Sequence, residues 1–203
     1  MSLPGRWPLA SHSELRDRLL AAYAGAERGY HDTRHLEEVL DRLEELAAHH
    51  VPFDSTVVRL AAWFHDAVYD GAPGAELRSA QWAEDALSAT DLPAAQVAAV
   101  ARLVRLTERH DPGPGDRDGA ALCDADLAVL AAAPRRYQAY VDGVRREYAH
   151  VPDALFRAGR SQALRSLVDR RHLFTTAHAR THWEPVAREN VTQELAALAA
   201  APH

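Results

Sequence analysis

A histidine and an aspartate, His65 and Asp66, lie side by side within the apolar run Ala61–Tyr69. An unpaired charge removed from water is strongly unfavourable, so such residues are retained only when they are paired or bind a metal. The chain offers further residues of metal-binding type as partners: His31, His35, Asp124 and Asp126. We therefore expect the pair to belong to a metal site.

The four residues that we expect to bind the metal are His35, His65, Asp66 and Asp126. Two imidazole nitrogens and two carboxylate oxygens form a mixed donor set, which suits Mn, Fe, Co, Ni or Zn, or alternatively Mg. A site of this kind can lower the pKa of a bound water and polarise a phosphoryl group. The chemistry that these residues indicate is hydrolysis without a protein nucleophile.

The composition excludes several other kinds of chemistry. The 203-residue chain contains no lysine, so a Walker-type phosphate loop, a Schiff base and a lysine general base are all excluded. The single cysteine, Cys123, excludes an internal disulfide and a thiolate zinc cage. A net charge of −6 argues against a general nucleic-acid surface. Anions must then be bound by arginine, backbone amides or metal.

The sequence predicts a cytoplasmic protein without a membrane span. Charged residues or histidine interrupt every apolar stretch before it reaches the roughly 20 residues that a span needs. The first seven residues lack the basic and then apolar order of a secretory signal.

Helical periodicity dominates the chain, and no sustained segment shows the alternation of a strand. We predict an all-α fold. In it, Asp32 caps a second helix that carries His35, and a third helix runs to about Tyr69. The other predicted helices are Ser13 to about Ala24 with Ser11 or Ser13 as cap, Ala75 to Ala89, Pro93 to Thr107 after Asp91 as cap, Ala120 to Ala132, Pro134 to His150, one from Pro152-Asp153, and Glu184 to Ala200.

The order of the four ligands resembles the HD superfamily of metal-dependent phosphohydrolases, which is named for its histidine-aspartate doublet. A bacterial subgroup of predicted HD phosphohydrolases is similar over nearly the whole chain. The matching motifs are Tyr30-His31-x-x-x-His35, Trp63-Phe64-His65-Asp66-x-Val68-Tyr69-Asp70, Glu76-x-x-Ser79-Ala80, Asp124-Ala125-Asp126-Leu127 and Arg146-Glu147-Tyr148, with a tail around Asn190 and Glu194. One departure is Ala75, where the subgroup commonly has asparagine, and it weakens a catalytic role for Glu76.

The resemblance implies an HD-like single-domain helical bundle over residues 1–203, with a metal-binding core at about 30–130 and a helical C-terminal extension at about 134–200. It also implies that His35, His65, Asp66 and Asp126 bind the metal. Asp124 is expected to point elsewhere and to act as a cap or buttress.

Several further residues have two open interpretations. Asp70 and His110 are catalytic candidates together with Asp66, but Asp70 could simply end a helix and His110 could be a solvated loop residue. His31 is either a contact for substrate or the start of a helix. The arginines that could bind phosphate, each of which could equally be a solvated charge, are Arg28, Arg34, Arg105 and Arg109. Arg28, His31 and Arg109 are the predicted substrate contacts. The pair His178 and His182 is predicted to be a solvated face.

The function expected from the sequence is a metal-dependent phosphohydrolase that acts on a small phosphorylated substrate, a phosphomonoester or phosphodiester and in particular a nucleotide. The alternative is a non-catalytic nucleotide-binding or regulatory module that retains the same metal pocket.

Overall fold

Apolar side chains at helical spacing fold the chain into α-helices, which the computed structural model describes for residues 2–200. No strand occurs in that range, so the predicted all-α class is confirmed. The helices are α1 (Ser13–Tyr23), α2 (Thr33–Ala48), α3 (Ser55–Phe64), α4 (Ala75–Leu87), α5 (Ala94–Leu106), α6 (Arg117–Leu127), α7 (Pro134–Glu147), α8 (Asp153–Val168), α9 (Ala177–His182) and α10 (Glu184–Ala200). Short 3-10 helices cover Leu3–Arg6 and Ala128–Ala131. None of the helices within residues 2–200 has the length and apolarity that crossing a membrane requires.

Helix α2 begins at the predicted cap. The Asp32 carboxylate accepts hydrogen bonds from the backbone N–H groups of Arg34 (2.9 Å) and His35 (3.2 Å). These bonds satisfy donors that the first turn of a helix leaves free, so the start of α2 is fixed by the sequence. His35 consequently lies in the first turn of α2.

Helix α3 ends at Phe64, five residues before the predicted end at Tyr69, and this prediction was wrong. The backbone N–H of Val68 donates to Ser79 Oγ (2.9 Å) instead of continuing the helical pattern. Arg28 donates to two carbonyl oxygens of the same turn. Because side chains satisfy these backbone groups, the chain can leave the helix while it is still partly buried.

Several other boundaries also differ from those predicted. The predicted helix Ala120 to Ala132 is α6 followed by the 3-10 helix Ala128–Ala131. The cap of α1 is His12, which has a left-handed backbone (φ 68°), and the cap of α5 is Pro93. The short helix α9 was not predicted, because six residues are too few to show a helical period.

The buried helix α3 forms the centre of the fold. Every residue of Leu60–Phe64 is fully buried, and α3 packs against α2, α5 and α6. Helices α2 and α6 also contact each other. The elements that carry the four predicted ligands are therefore mutual neighbours in the core.

Two glycines allow the loop before α2 to lie directly against α7. A Cβ atom on Gly143 would lie 2.6 Å from Gly29 O and 3.0 Å from Tyr30 Cβ. Real Cβ atoms do not approach a carbonyl oxygen this closely, so the backbones would have to move apart. The contact between Gly29 and Gly143 sets the position of the residues that lead into α2.

We predict that Gly143→Ala lowers the free energy of unfolding by about 1–3 kcal/mol, as overpacking does elsewhere. The matched control is Gly159→Ala in the neighbouring helix α8, where an added Cβ meets no atom within 4 Å. The control should be neutral or more stable by about 0.5–1 kcal/mol, since alanine is the better helix former. Urea unfolding of both variants measures the difference, and equal stabilities would contradict the role of the Gly29–Gly143 contact.

Candidate metal centre

Two buried imidazoles face each other at the junction of α2 and α3. His35 Nε2 lies 3.0 Å from His65 Nε2, and the two residues are only 2% and 1% exposed. Two imidazole nitrogens at this separation have either a proton or a metal ion between them, because two bare lone pairs would repel.

Both predicted carboxylates approach the same pair of nitrogens. Asp66 Oδ2 lies 3.3 Å from His35 Nε2 and 3.0 Å from His65 Nε2. Asp126 Oδ1 lies 3.1 Å and 3.5 Å from the same two atoms. The ligand atoms of His35, His65 and Asp126 all lie within 4.8 Å of one another. The fold thus brings together all four residues that the sequence proposed as ligands.

The backbone of α3 fixes which nitrogen of His65 faces the cluster as an acceptor. His65 Nδ1 lies 2.8 Å from Ala62 O. A carbonyl oxygen only accepts hydrogen bonds, so Nδ1 carries the proton and the Nε2 lone pair of the neutral ring is directed at the other ligands. Metal-binding histidines are commonly oriented by such a hydrogen bond from their second nitrogen.

The charges in the cluster favour a bound cation. Burial alone lowers the pKa of an imidazole, but the carboxylates of Asp66 and Asp126 outweigh it and raise the pKa of His35 and His65. Burial alone raises the pKa of a carboxyl, but His65 and the other imidazoles hold the pKa of Asp66 and Asp126 well below the usual range. Both carboxylates are therefore ionised, and the cluster attracts positive charge.

This donor set fits a divalent metal. His35 and His65 would supply nitrogen and Asp66 and Asp126 would supply oxygen, a combination that suits a first-row transition metal or Mg²⁺. All four side chains are anchored on buried helices or the turn after one, which limits their freedom to move apart.

His110 lies beside the ligand Asp126. Its Nε2 donates to Asp126 Oδ2 at 2.7 Å. The residue has a left-handed backbone (φ 48°), which is uncommon for residues other than glycine. Arg170 stabilises this conformation by donating to the carbonyl oxygens of His110 (2.7 Å) and Arg109 (3.0 Å). Strained residues of this kind concentrate at functional sites.

His31 is oriented by a glutamate from α7. Its Nδ1 donates to Glu147 Oε2 (2.8 Å), and its ring stacks on Tyr69 with centroids 4.0 Å apart. Glu147 Oε1 also accepts the backbone N–H groups of Gly29, Tyr30 and His31. These four hydrogen bonds hold His31 beside the cluster of His and Asp side chains. Its ring centroid lies 5.6 Å from that of His35.

Three predicted site residues lie elsewhere or act differently. Asp70 is largely exposed and pairs with Arg78, so it does not reach the cluster. The side chain of Arg109 is exposed, and only its carbonyl oxygen takes part in the contacts around His110. Arg28 is near the site, but its guanidinium donates to the carbonyl oxygens of His31, Asp66 and Ala67. Its role is to hold the backbone of the turn that carries Asp66.

Asp124 is a buttress, as the sequence indicated. Its carboxylate accepts the backbone N–H groups of Thr175 (2.8 Å) and Thr176 (2.7 Å), which anchors the segment before α9 to α6. The prediction of a solvated face was wrong for His178, which is half-buried with a side chain only 8% exposed and is hydrogen-bonded to Glu45 (2.9 Å). His182 is exposed, as predicted.

The cluster of His35, His65, Asp66 and Asp126 opens into a cavity of about 650 Å³. Asp66, Asp126, His31 and His110 all line it. This volume lies within the range of about 300–1,000 Å³ that is typical of small-molecule sites. A small substrate can therefore reach the residues that would hold the metal.

Sequence reasoning missed the positioning roles of Glu147 and Arg170. Glu147 belongs to the matched motif Arg146-Glu147-Tyr148, but its partners lie more than 110 residues away and leave no local signal. Arg170 binds backbone carbonyls, so the residue types of its partners carry no information.

We predict that Glu147→Gln destabilises the protein at neutral pH and does so less in acid. Although burial raises its pKa, the hydrogen bonds and charge of His31 and the backbone amides lower the pKa of Glu147 from 4.5 to about 2. A lowered folded-state pKa adds stability that is full above pH 4.5 and is lost as the pH falls through about 2. The lowered pKa of Glu147 corresponds to roughly 3 kcal/mol of the free energy of unfolding at pH 7.

Urea unfolding at pH 7 and pH 3 measures this contribution. The stability difference between wild type and Glu147→Gln should fall by about half or more at pH 3. The matched control is Glu189→Gln, which changes an exposed glutamate and should have little effect at either pH. A difference for Glu147→Gln that does not depend on pH would contradict the ionised contact.

Comparison of this chain with known protein families, characterised proteins and solved structures gave no match. The resemblance to the HD superfamily therefore stays a prediction from the sequence motifs.

Proposed function

We propose that this protein is a metal-dependent phosphohydrolase of the HD type. It acts on a phosphomonoester or phosphodiester of a small molecule. The observation that carries the proposal is the convergence of two imidazole Nε2 atoms, 3.0 Å apart, with the carboxylates of Asp66 and Asp126 at the end of a cavity.

A divalent cation at this position would acidify a water molecule and polarise a phosphoryl oxygen, which are the two demands of phosphate ester hydrolysis. No serine or cysteine occurs among the described residues that line the cavity. Direct attack by water therefore accounts for the residues better than a covalent intermediate on the protein.

The chain's own residues provide orientation and proton transfer. The ionised carboxylate of Asp66 can accept a hydrogen bond from the attacking water at the open side of the cluster. His110 carries a proton on Nε2 beside Asp126, and His31 lies across the same cavity, so either can protonate the leaving oxygen. Glu147 and Arg170 act as positioning residues for these two histidines.

The alternative from the sequence, a non-catalytic nucleotide-binding or regulatory module, shares the same metal ligands. The two functions differ in turnover and not in metal content. A nucleotide substrate stays a prediction from the sequence.

Three variants test the proposal by separating metal binding from proton transfer. We expect His65→Ala and Asp66→Ala to lose both the bound metal and hydrolysis of a general phosphate ester. His110→Ala should keep the metal but lose about 10²- to 10⁴-fold in kcat, the usual contribution of an acid or base. Metal analysis and assays with Mn²⁺, Co²⁺ and Mg²⁺ measure these effects, and His178→Ala is the control histidine that should change neither.

Hydrolysis by metal-free Asp66→Ala at the wild-type rate would refute the proposal. Stoichiometric metal without turnover of any phosphate ester would favour the binding module instead.

A further inference from the structure

The cavity beside the metal cluster continues between α7 and α8, where its walls are apolar. Val144 of α7 and Phe156, Leu164 and Leu167 of α8 all line this part. The aromatic rings of Tyr69 and Tyr148 line it as well. The cavity therefore has a polar end at the metal ligands and an apolar end between the two helices.

The apolar character continues to the protein surface. Within residues 2–200, four large hydrophobic side chains are exposed, and two of them, Tyr148 (39%) and Leu155 (66%), line this cavity. Exposed apolar side chains that cluster at one opening are typical of a ligand or partner surface. Here they extend the apolar end of the cavity to its mouth.

The charges of the lining do not favour a chain of phosphates. Arg160 is the single arginine among the described lining residues, and it forms a double hydrogen bond with Glu194 (2.8 Å and 3.2 Å). Glu76 and Glu108 also line the cavity and add negative charge. Beyond the metal cluster, additional phosphates would lie beside carboxylates with no cation free to neutralise them.

The polar end contains one buried hydroxyl that needs a partner. Tyr30 is 5% exposed and lines the cavity, and its hydroxyl makes no hydrogen bond within the described residues. Buried hydroxyl groups are normally hydrogen-bonded, so this hydroxyl is an unsatisfied polar group. The Tyr30 ring lies 4.7 Å from the His35 ring, centroid to centroid, so this residue belongs to the polar end of the cavity.

We infer that the substrate is a phosphomonoester with a single phosphate on a bulky apolar group, which lies between α7 and α8. This inference rests on the proposed function for the chemistry at the phosphate. A single phosphate on an apolar group is a narrower substrate class than the proposed function states, and it disfavours nucleoside di- and triphosphates.

Gly159 of α8 provides a direct way to fill the apolar end. It lines the cavity, and a Cβ atom added there meets no atom within 4 Å. The side chain of Gly159→Phe therefore starts in open space, and the variant is designed to place its ring in the apolar end of the cavity. Gly159→Ala is the matched control, since it makes the same helix-favouring change with little volume.

The test measures binding of non-hydrolysable phosphonates to the metal-loaded protein by calorimetry. The probes are methylphosphonate, 1-naphthylmethylphosphonate, n-octylphosphonate and a non-hydrolysable nucleoside triphosphate. We expect at least one apolar phosphonate to bind about tenfold or more tightly than methylphosphonate, as burial of several carbons implies. Gly159→Phe should remove this preference and leave methylphosphonate binding unchanged, whereas Gly159→Ala should retain the preference.

A preference for the naphthyl probe would indicate an aromatic group, and a preference for the octyl probe would indicate an alkyl chain. Both results support the inference. Equal binding of the methyl and apolar probes, tightest binding of the triphosphate, or an unchanged preference in Gly159→Phe would overturn it.

Turnover of the matching phosphate esters separates the two proposals. Selective apolar binding without any hydrolysis would overturn the hydrolase and support the ligand class. Hydrolysis without apolar preference would overturn the ligand class and support the hydrolase.

Discussion

The folded chain holds four electronegative side-chain groups against one another in its interior. The Nε2 atoms of His35 and His65 lie 3.0 Å apart, and the carboxylates of Asp66 and Asp126 approach both of them. Protons or a metal ion must lie between these lone pairs and negative charges, because little water is available to screen their repulsion. The rest of the structure is organised so that these groups cannot separate.

The restraint comes from backbone groups as much as from packing. Asp32 accepts hydrogen bonds from backbone N–H groups in the first turn of α2, which carries His35. Arg28 donates hydrogen bonds to carbonyl oxygens of the turn that carries Asp66. Asp124 joins α6 to the segment before α9, close to Asp126 in the chain. Each of these charged residues satisfies backbone donors or acceptors that would otherwise be unpaired, and Asp32 and Arg28 thereby fix the backbone that carries His35 and Asp66.

The sequence was informative where a residue's role depends on neighbours in the chain. The cap at Asp32, the helical position of His35 and the buttress at Asp124 all follow from local patterns, and the all-α class follows from periodicity. The end of α3 could not be read this way, because Ser79 takes its backbone donor from outside the helix.

Roles that depend on contacts with distant parts of the chain could not be predicted from the sequence either. Arg28 and Arg109 have the residue type of a phosphate contact, yet Arg28 binds carbonyl oxygens and Arg109 is exposed. His178 has the spacing of a solvated pair, yet it forms a hydrogen bond with Glu45 of α2. In each case a partner from another helix decides the role, and single-chain patterns do not reveal that partner.

The cavity connects the restrained cluster to the space between α7 and α8, so its polar and apolar ends form one continuous space. X-ray absorption spectroscopy of the protein loaded with Co²⁺ tests the cluster most directly. We predict one ion per chain, bound by two imidazole nitrogens and by carboxylate oxygens, with the imidazole signal reduced in His35→Ala. An ion without imidazole ligands, or no bound ion at stoichiometric loading, would contradict a metal centre at this position.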